Sequence, residues 1–121
     1  MRLWHEDLIP KLPRQQLLGQ HRECCALRGK EWKKPHKTVN YVFHYPPYKL
    51  YQYHIFVMEE MIKRGYQPNK LWFDPHYRGQ TCPKYEDVTK VELEKPIYIE
   101  HNSQYFQECL DNLKEKGIEL T

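Results

Sequence analysis

"QLLGQHRECCALRG", residues 16–29, decides how the chain folds. At about 100° per residue, Leu17, Leu18, His21, Cys24 and Cys25 share one face. Gln16, Gly19, Glu23 and Ala26 share the other. Gly29 suits the position just past a helix end, and Pro10 and Pro13 suit its start. The pattern predicts a helix from Arg14 to Gly29. One carboxylate, Glu23, stands on it beside Arg22, with Gly19 and Ala26 about one turn to either side. A helical glycine costs about 1 kcal/mol relative to alanine. Its presence near Glu23 therefore predicts close approach by other atoms.

Upstream, "MRLWHEDLI" (residues 1–9) is a short apolar-tinged, extended segment. Downstream, "RGKEWKKPHK" (28–37) is a loop in which Arg28, Lys30, Lys33, Lys34 and Lys37 face one acid, Glu31, around Trp32. "TVNYVFHYPPY" (38–48) is either a short strand or buried irregular chain. Tyr51, Ile55, Met58 and Ile62 repeat at helical spacing and predict a second helix from Tyr48 to Arg64, closed by Gly65. Residues 66–95 are a long Pro/Gly/Asp/Tyr-rich connection with short helical turns. "IYIE" (97–100) is a brief extended piece. Asn102 or Ser103 caps a third helix to about Lys116, with Phe106, Cys109, Leu110 and Leu113 inward and Gly117 after it. The expected fold is all-α or α-rich: one domain over residues 1–121, three main helices and long irregular connections.

The 121 residues are 40% hydrophobic, enough for one modest core. Net charge is only +3, so a nucleic-acid partner would have to be met by a local patch. Four cysteines, two of them adjacent at 24 and 25, form no CxxC pair and suit reduced thiols in a cytoplasmic protein. No apolar run approaches the roughly 20 residues of a membrane span, and no signal peptide is evident. The seven histidines show no convincing zinc spacing; His76 and Cys82 are the best pair, and scattered hydrogen-bonded histidines are the better account. Several of Tyr41, Tyr45, Tyr48, Tyr51 and Tyr53 are expected in the core. No Ser-His-Asp set, phosphate loop or dinucleotide fingerprint is present.

Three features carry chemistry. Glu23 is the isolated acid. Lysines and arginines of the 28–37 loop can neutralise phosphates without sequence preference, and an aromatic such as Trp32 can stack on a base or wedge into a duplex. The third feature is the chain start. A bulky residue such as Arg2 protects the initiator methionine, so Met1 is expected to keep a free α-amine. Such amines have a pKa of about 7.7–8.0, so a useful fraction is neutral and nucleophilic. Leu3 and Trp4 are the residues expected to pin it.

"QQLLGQHRE" (15–23) resembles the first helix of the phage pyrimidine-dimer DNA glycosylase/AP lyase family, the endonuclease V type. That family's Gln-x-Leu-x(4)-Arg-Glu pattern is matched by Gln15, Leu17, Arg22 and Glu23. Leu50, Ile55, Glu60 and the ending Lys63-Arg64-Gly65-Tyr66 also fall in register. "MRLWHEDLI" is more similar to a bacterial branch of that family. The likeness covers residues 1 to about 68. It implies an α-helical domain that flips a nucleotide and works through an imine, with Arg22 on a phosphate and Glu23 as the catalytic acid. The family's nucleophile is the α-amine of a threonine followed by arginine. Met1-Arg2 would stand in its place after a one-residue adjustment. Gln16 replaces a family histidine and Ala26 a family arginine, and the family's aromatic C-terminal tail is missing.

The resemblance thus implies a DNA-repair glycosylase with AP lyase activity and no cofactor or metal. Met1 and Glu23 are its expected catalytic groups. Arg2, Gln16, Arg22, Arg28, Trp32, Lys33 and Lys34 are its expected DNA contacts. The expected substrate is double-stranded DNA with damaged or abasic sites, bound by a monomer. The competing readings are a non-catalytic nucleic-acid-binding module on the same scaffold, and a domain unrelated to DNA.

Overall fold

A computed structural model describes residues 1–120, among which there are α- and 3-10 helices and no strand. We label α1 (Arg14–Arg28), α2 (Pro47–Lys63) and α3 (Ser103–Glu115). Single 3-10 turns cover Glu6–Lys11, Asn40–His44 and Lys70–Phe73. The α-rich expectation holds, and the helix bounds fall within two residues of those read from the sequence. Residues 38–48 resolve to the 3-10 turn at Asn40–His44 followed by the start of α2. Residues 97–100 are bends and turn rather than extended chain. No helix among the described residues is long and apolar enough to cross a membrane.

α1 packs against α2, and the 3-10 turn at Glu6–Lys11 packs on α2 as well. The core joins Leu3, Leu8 and Ile9 from the chain start with Leu17 and Leu27 of α1, Leu50 and Val57 of α2, and Cys109 and Leu113 of α3. α1 is covered nearly all round: only Arg14, Gln15 and Arg22 are exposed on it. Its inner side includes Leu17, Gln20, Cys24, Leu27 and Arg28, so the polar Gln20 and Arg28 belong to the buried face.

The buried side of α2 also differs from expectation. Leu50, Tyr53, His54, Val57, Met58 and Met61 turn inward. Of the predicted stripe only Met58 does so; Ile62 is half open and Tyr51 and Ile55 are partly covered. Positions 50, 53, 54, 57, 58 and 61 make a wider stripe than a strict four-residue repeat, as a core-facing helix needs. Tyr51 and Ile55 instead line an open apolar groove of about 470 Å³ with Phe56, Leu93 and Ile97.

The connection after α2 is tied to the end of α1. Arg28 donates through Nη1 to the Trp72 carbonyl (2.8 Å) and through Nη2 to those of Asp74 (2.9 Å) and Tyr77 (3.2 Å). Arg78 returns bonds to the carbonyls of Arg28 (3.1 Å) and Gly29 (3.2 Å). A Cβ on residue 29 would lie 2.7 Å from the Arg78 carbonyl oxygen, so this docking requires glycine.

α3 begins at an Asn102 cap, whose Oδ1 accepts from the Tyr105 amide at 2.8 Å. It closes the molecule over the chain start. The Cys109 sulfur accepts from the His5 amide at 3.4 Å, and His101 Nδ1 accepts from the Glu6 amide at 3.3 Å.

Candidate active site at the chain start

Residues 2–5 lie buried or half-buried, with side chains where neighbouring strands would stand. An extended chain turns successive residues to opposite edges, and the bonds follow that alternation. Arg2 and Trp4 face α1 and α2. The Arg2 amide donates to Glu23 Oε2 at 3.4 Å, and the Arg2 carbonyl accepts from Gln20 Nε2 at 2.9 Å. The Trp4 amide donates to Gln20 Oε1 at 2.6 Å, and the Trp4 carbonyl accepts from the Tyr53 hydroxyl at 2.6 Å. Leu3 and His5 face α3: the Leu3 carbonyl accepts from the Tyr105 hydroxyl, and the His5 amide donates to Cys109. The Met1 carbonyl accepts from the Thr38 hydroxyl. Burial obliges backbone polar groups to find partners, and here side chains from three helices supply them.

Gln20 is the hub of this arrangement, and the sequence reading did not single it out. It is 1% exposed and also donates to Glu23 Oε2 at 3.1 Å, while its Oε1 and the Trp4 carbonyl share the single proton of the Tyr53 hydroxyl, 2.8 Å and 2.6 Å away. The hint available in the sequence was a glutamine three residues before Glu23, on the same side of the helix as the core leucines. Both protein contacts to Glu23 use Oε2. The half-buried carboxylate therefore has Oε1 to offer to a substrate.

The atoms that approach the Glu23 carboxylate itself belong to the chain start and to Gln20. The donor from the chain start is the Arg2 amide rather than the Met1 amine. Bond geometry puts the Met1 nitrogen no more than roughly 4 Å further back. On the other flank, a Cβ on residue 19 would meet only Arg22 Nη2, at an ordinary contact of 3.6 Å, so the tight approach expected from Gly19 is not found and the packing does not require glycine there. Arg22 is exposed, and Gln16 and Ala26 are half-buried. Arg2 is half-buried; its guanidinium carbon lies 6.0 Å from the Trp4 ring centroid and 5.6 Å from that of Tyr105.

The basic loop divides. Lys33 and Lys34 are exposed, and Lys33 holds a left-handed φ of 67°, a strained conformation for a lysine. Trp32 is half-buried and packs edge-on against Phe43 at 5.0 Å, so its ring is engaged within the protein. Arg28, expected to contact phosphate, is a correction. It is 5% exposed, and both terminal nitrogens of its guanidinium are taken up by three backbone carbonyls and His54, so it is not available to a phosphate.

A second cluster lies on α1 and α2. His21 Nδ1 is 2.8 Å from His54 Nε2, and the Cys25 sulfur lies 3.9 Å from the latter. Soft N and S donors of this kind can hold a transition metal. Here the Arg28 guanidinium sits 2.9 Å from His54 Nδ1. Arginine only donates, so Nδ1 accepts and Nε2 carries the proton that bonds His21. That leaves His54 no lone pair for a cation. Burial, then the Arg28 charge, then His21 hold His54 well below the ordinary histidine range. Burial, Arg22 and Arg28 lower His21 too, and burial pushes the Cys25 thiol up to about 11. The cluster is a neutral hydrogen-bonded chain. The sequence hid it because His21 and His54 stand 33 positions apart.

A sequence model of pyrimidine dimer DNA glycosylases matches residues 1–74, which include the chain start, α1 and α2. The chain belongs to the pyrimidine dimer DNA glycosylase family. Membership makes DNA its substrate class. No match to a curated protein or to a solved structure was found. The glycosylase match ends one residue after the Lys70–Phe73 turn, so the docked connection beyond it and α3 lie outside the shared region.

Proposed function

We propose that this glycosylase is also an AP lyase, acting on damaged or abasic double-stranded DNA through an imine on the chain's own α-amine. The observation that carries the proposal is the 3.4 Å contact between the Arg2 amide and Glu23, which brings the chain start to an acid with one free oxygen. The neutral Met1 amine attacks C1′ of a damaged nucleotide. The C1′–N bond to the base breaks, and the sugar ring opens to an imine as Glu23 protonates its ring oxygen. Loss of a C2′ proton and rupture of the C3′–O bond then cut the strand. Glu23 assists the proton transfers. Amine chemistry of this kind calls for no metal.

Arg2, Arg22, Lys33 and Lys34 are proposed to hold phosphates, and Gln16, half-buried on the first turn of α1, is proposed as a further DNA contact. Extruding a nucleotide costs a few kcal/mol, least at a lesion, which gives some selectivity. The protein is proposed to work as a monomer. If Met1 is removed, the Arg2 nitrogen becomes the amine and already stands 3.4 Å from the carboxylate.

Borohydride trapping on abasic duplex DNA tests the proposal. An untagged protein is expected to form a covalent adduct whose N-terminal peptide carries the sugar remnant, and peptide mass distinguishes Met1 from Arg2. A retained N-terminal tag is expected to abolish the adduct. No adduct from folded protein, with salt-dependent DNA binding intact, would instead establish a non-catalytic binding module.

A further inference from the structure

Residues beyond the shared region build the second wall of the site. Ile97 donates its amide to Glu6 Oε1 at 2.6 Å, His101 takes the Glu6 amide, Cys109 takes the His5 amide, and Tyr105 donates to the Leu3 carbonyl. Gln20 holds only the edge of the chain start that faces α1. Thr38 ties the Met1 carbonyl, and an extended segment held along one edge and at its first residue can still swing in between. Its opposite edge at Leu3 has one bond, from Tyr105, and the same ring lies 5.6 Å from the Arg2 guanidinium.

We propose that Tyr105 is a positioning residue for the α-amine: its hydroxyl and ring fix the strand at Leu3 and Arg2 so that the amine stays beside Glu23. The inference rests on the imine reading above. Three features suit Tyr105 to the task. It stands on the first turn of α3, where the Asn102 cap fixes its backbone. Burial pushes its phenol up, so the hydroxyl remains a donor throughout the working pH range. Its bond falls two residues from the chain start, closer than any other contact that α3 makes with the strand backbone.

Tyr105→Phe keeps the ring and removes the hydroxyl. Single-turnover borohydride trapping on saturating abasic duplex is expected to slow by about tenfold or more, because small misplacements of a reacting group are expensive in rate. The Kd for the same duplex is expected to stay within about twofold. Leu113→Ala, which opens a cavity under the last turn of α3 two turns beyond Tyr105, should lower Tm and leave the trapping rate unchanged in the folded protein. Hydrogen exchange at the Arg2 and Trp4 amides should quicken in Tyr105→Phe alone. Wild-type trapping rate and exchange in Tyr105→Phe would overturn the positioning role while leaving the imine reading intact. Equal slowing in both variants would show that α3 acts through stability alone and would also overturn it. Absence of an adduct in the wild type would remove the imine reading itself, and this inference with it.

Discussion

Two neighbouring side chains divide the work at the residue scale. Glu23 presents a carboxylate, and Gln20 holds both it and the strand opposite. Glu23→Gln preserves an oxygen able to accept the Arg2 and Gln20 bonds, so the variant should fold and bind DNA. It loses the proposed proton-transfer group, and the proposed strand cleavage is expected to fall by about 10²-fold or more. Rate and binding measured on the same abasic duplex check this; cleavage at the wild-type rate would remove Glu23 from the chemistry. Gln20→Ala strands the Arg2 carbonyl and the buried Trp4 amide, while Tyr53 keeps its bond to the Trp4 carbonyl. Each unsatisfied group costs about 1–3 kcal/mol, and denaturant unfolding should show a drop of about 3 kcal/mol. A drop below about 1 kcal/mol would mean that the strand is held without it.

The element scale turns on two loops. The 66–95 connection is ordered because Arg28 reaches across to three of its carbonyls and Gly29 lets Arg78 approach. Arg28→Met would leave those carbonyls and His54 without donors. Breaking such a buried charged network is expected to cost about 3 kcal/mol or more, with little change in DNA affinity once the protein is folded. A large fall in affinity at full stability would restore Arg28 to the interface. The 28–37 loop is the reverse case, since Lys33 and Lys34 are exposed. The Lys33→Ala/Lys34→Ala double variant should flatten the plot of log K against log salt by up to about 2, near 0.9 for each phosphate no longer neutralised. An unchanged slope would assign the two lysines to solvent. From sequence, Arg28, Lys33 and Lys34 belonged to one basic stretch, residues 28–37. Only packing separates a cation that stays exposed from one that ties the fold together.

Acid sensitivity is a property of the whole molecule. His101 is lowered to about 3 by burial and by His5, with Asp7 opposing, and His54 and His21 are lowered with it. These imidazoles are neutral when folded and take up protons more readily when unfolded. Their contribution is therefore full above the ordinary histidine pKa of about 6.5. It is lost as the pH falls from there toward about 3, where His101 protonates in the folded chain. Unfolding free energy measured between about pH 7 and 4 should decline steadily, and less steeply in His101→Gln. The sequence by itself determined the three helices, their caps and stops, and the Arg22–Glu23 pair, because periodicity, terminal glycines and residue order are local properties. It also placed the chain start and Glu23 in one hypothesis through resemblance. Only the tertiary structure decided which face of α2 is buried, that Gln20 clamps the strand, that Arg28 turns inward, and that α3 closes the far edge of the site. Those outcomes depend on which side chains meet across up to about a hundred positions of sequence, as Leu3 and Tyr105 do. No local pattern encodes such a meeting, because burial and hydrogen-bond satisfaction are settled by the whole packed chain.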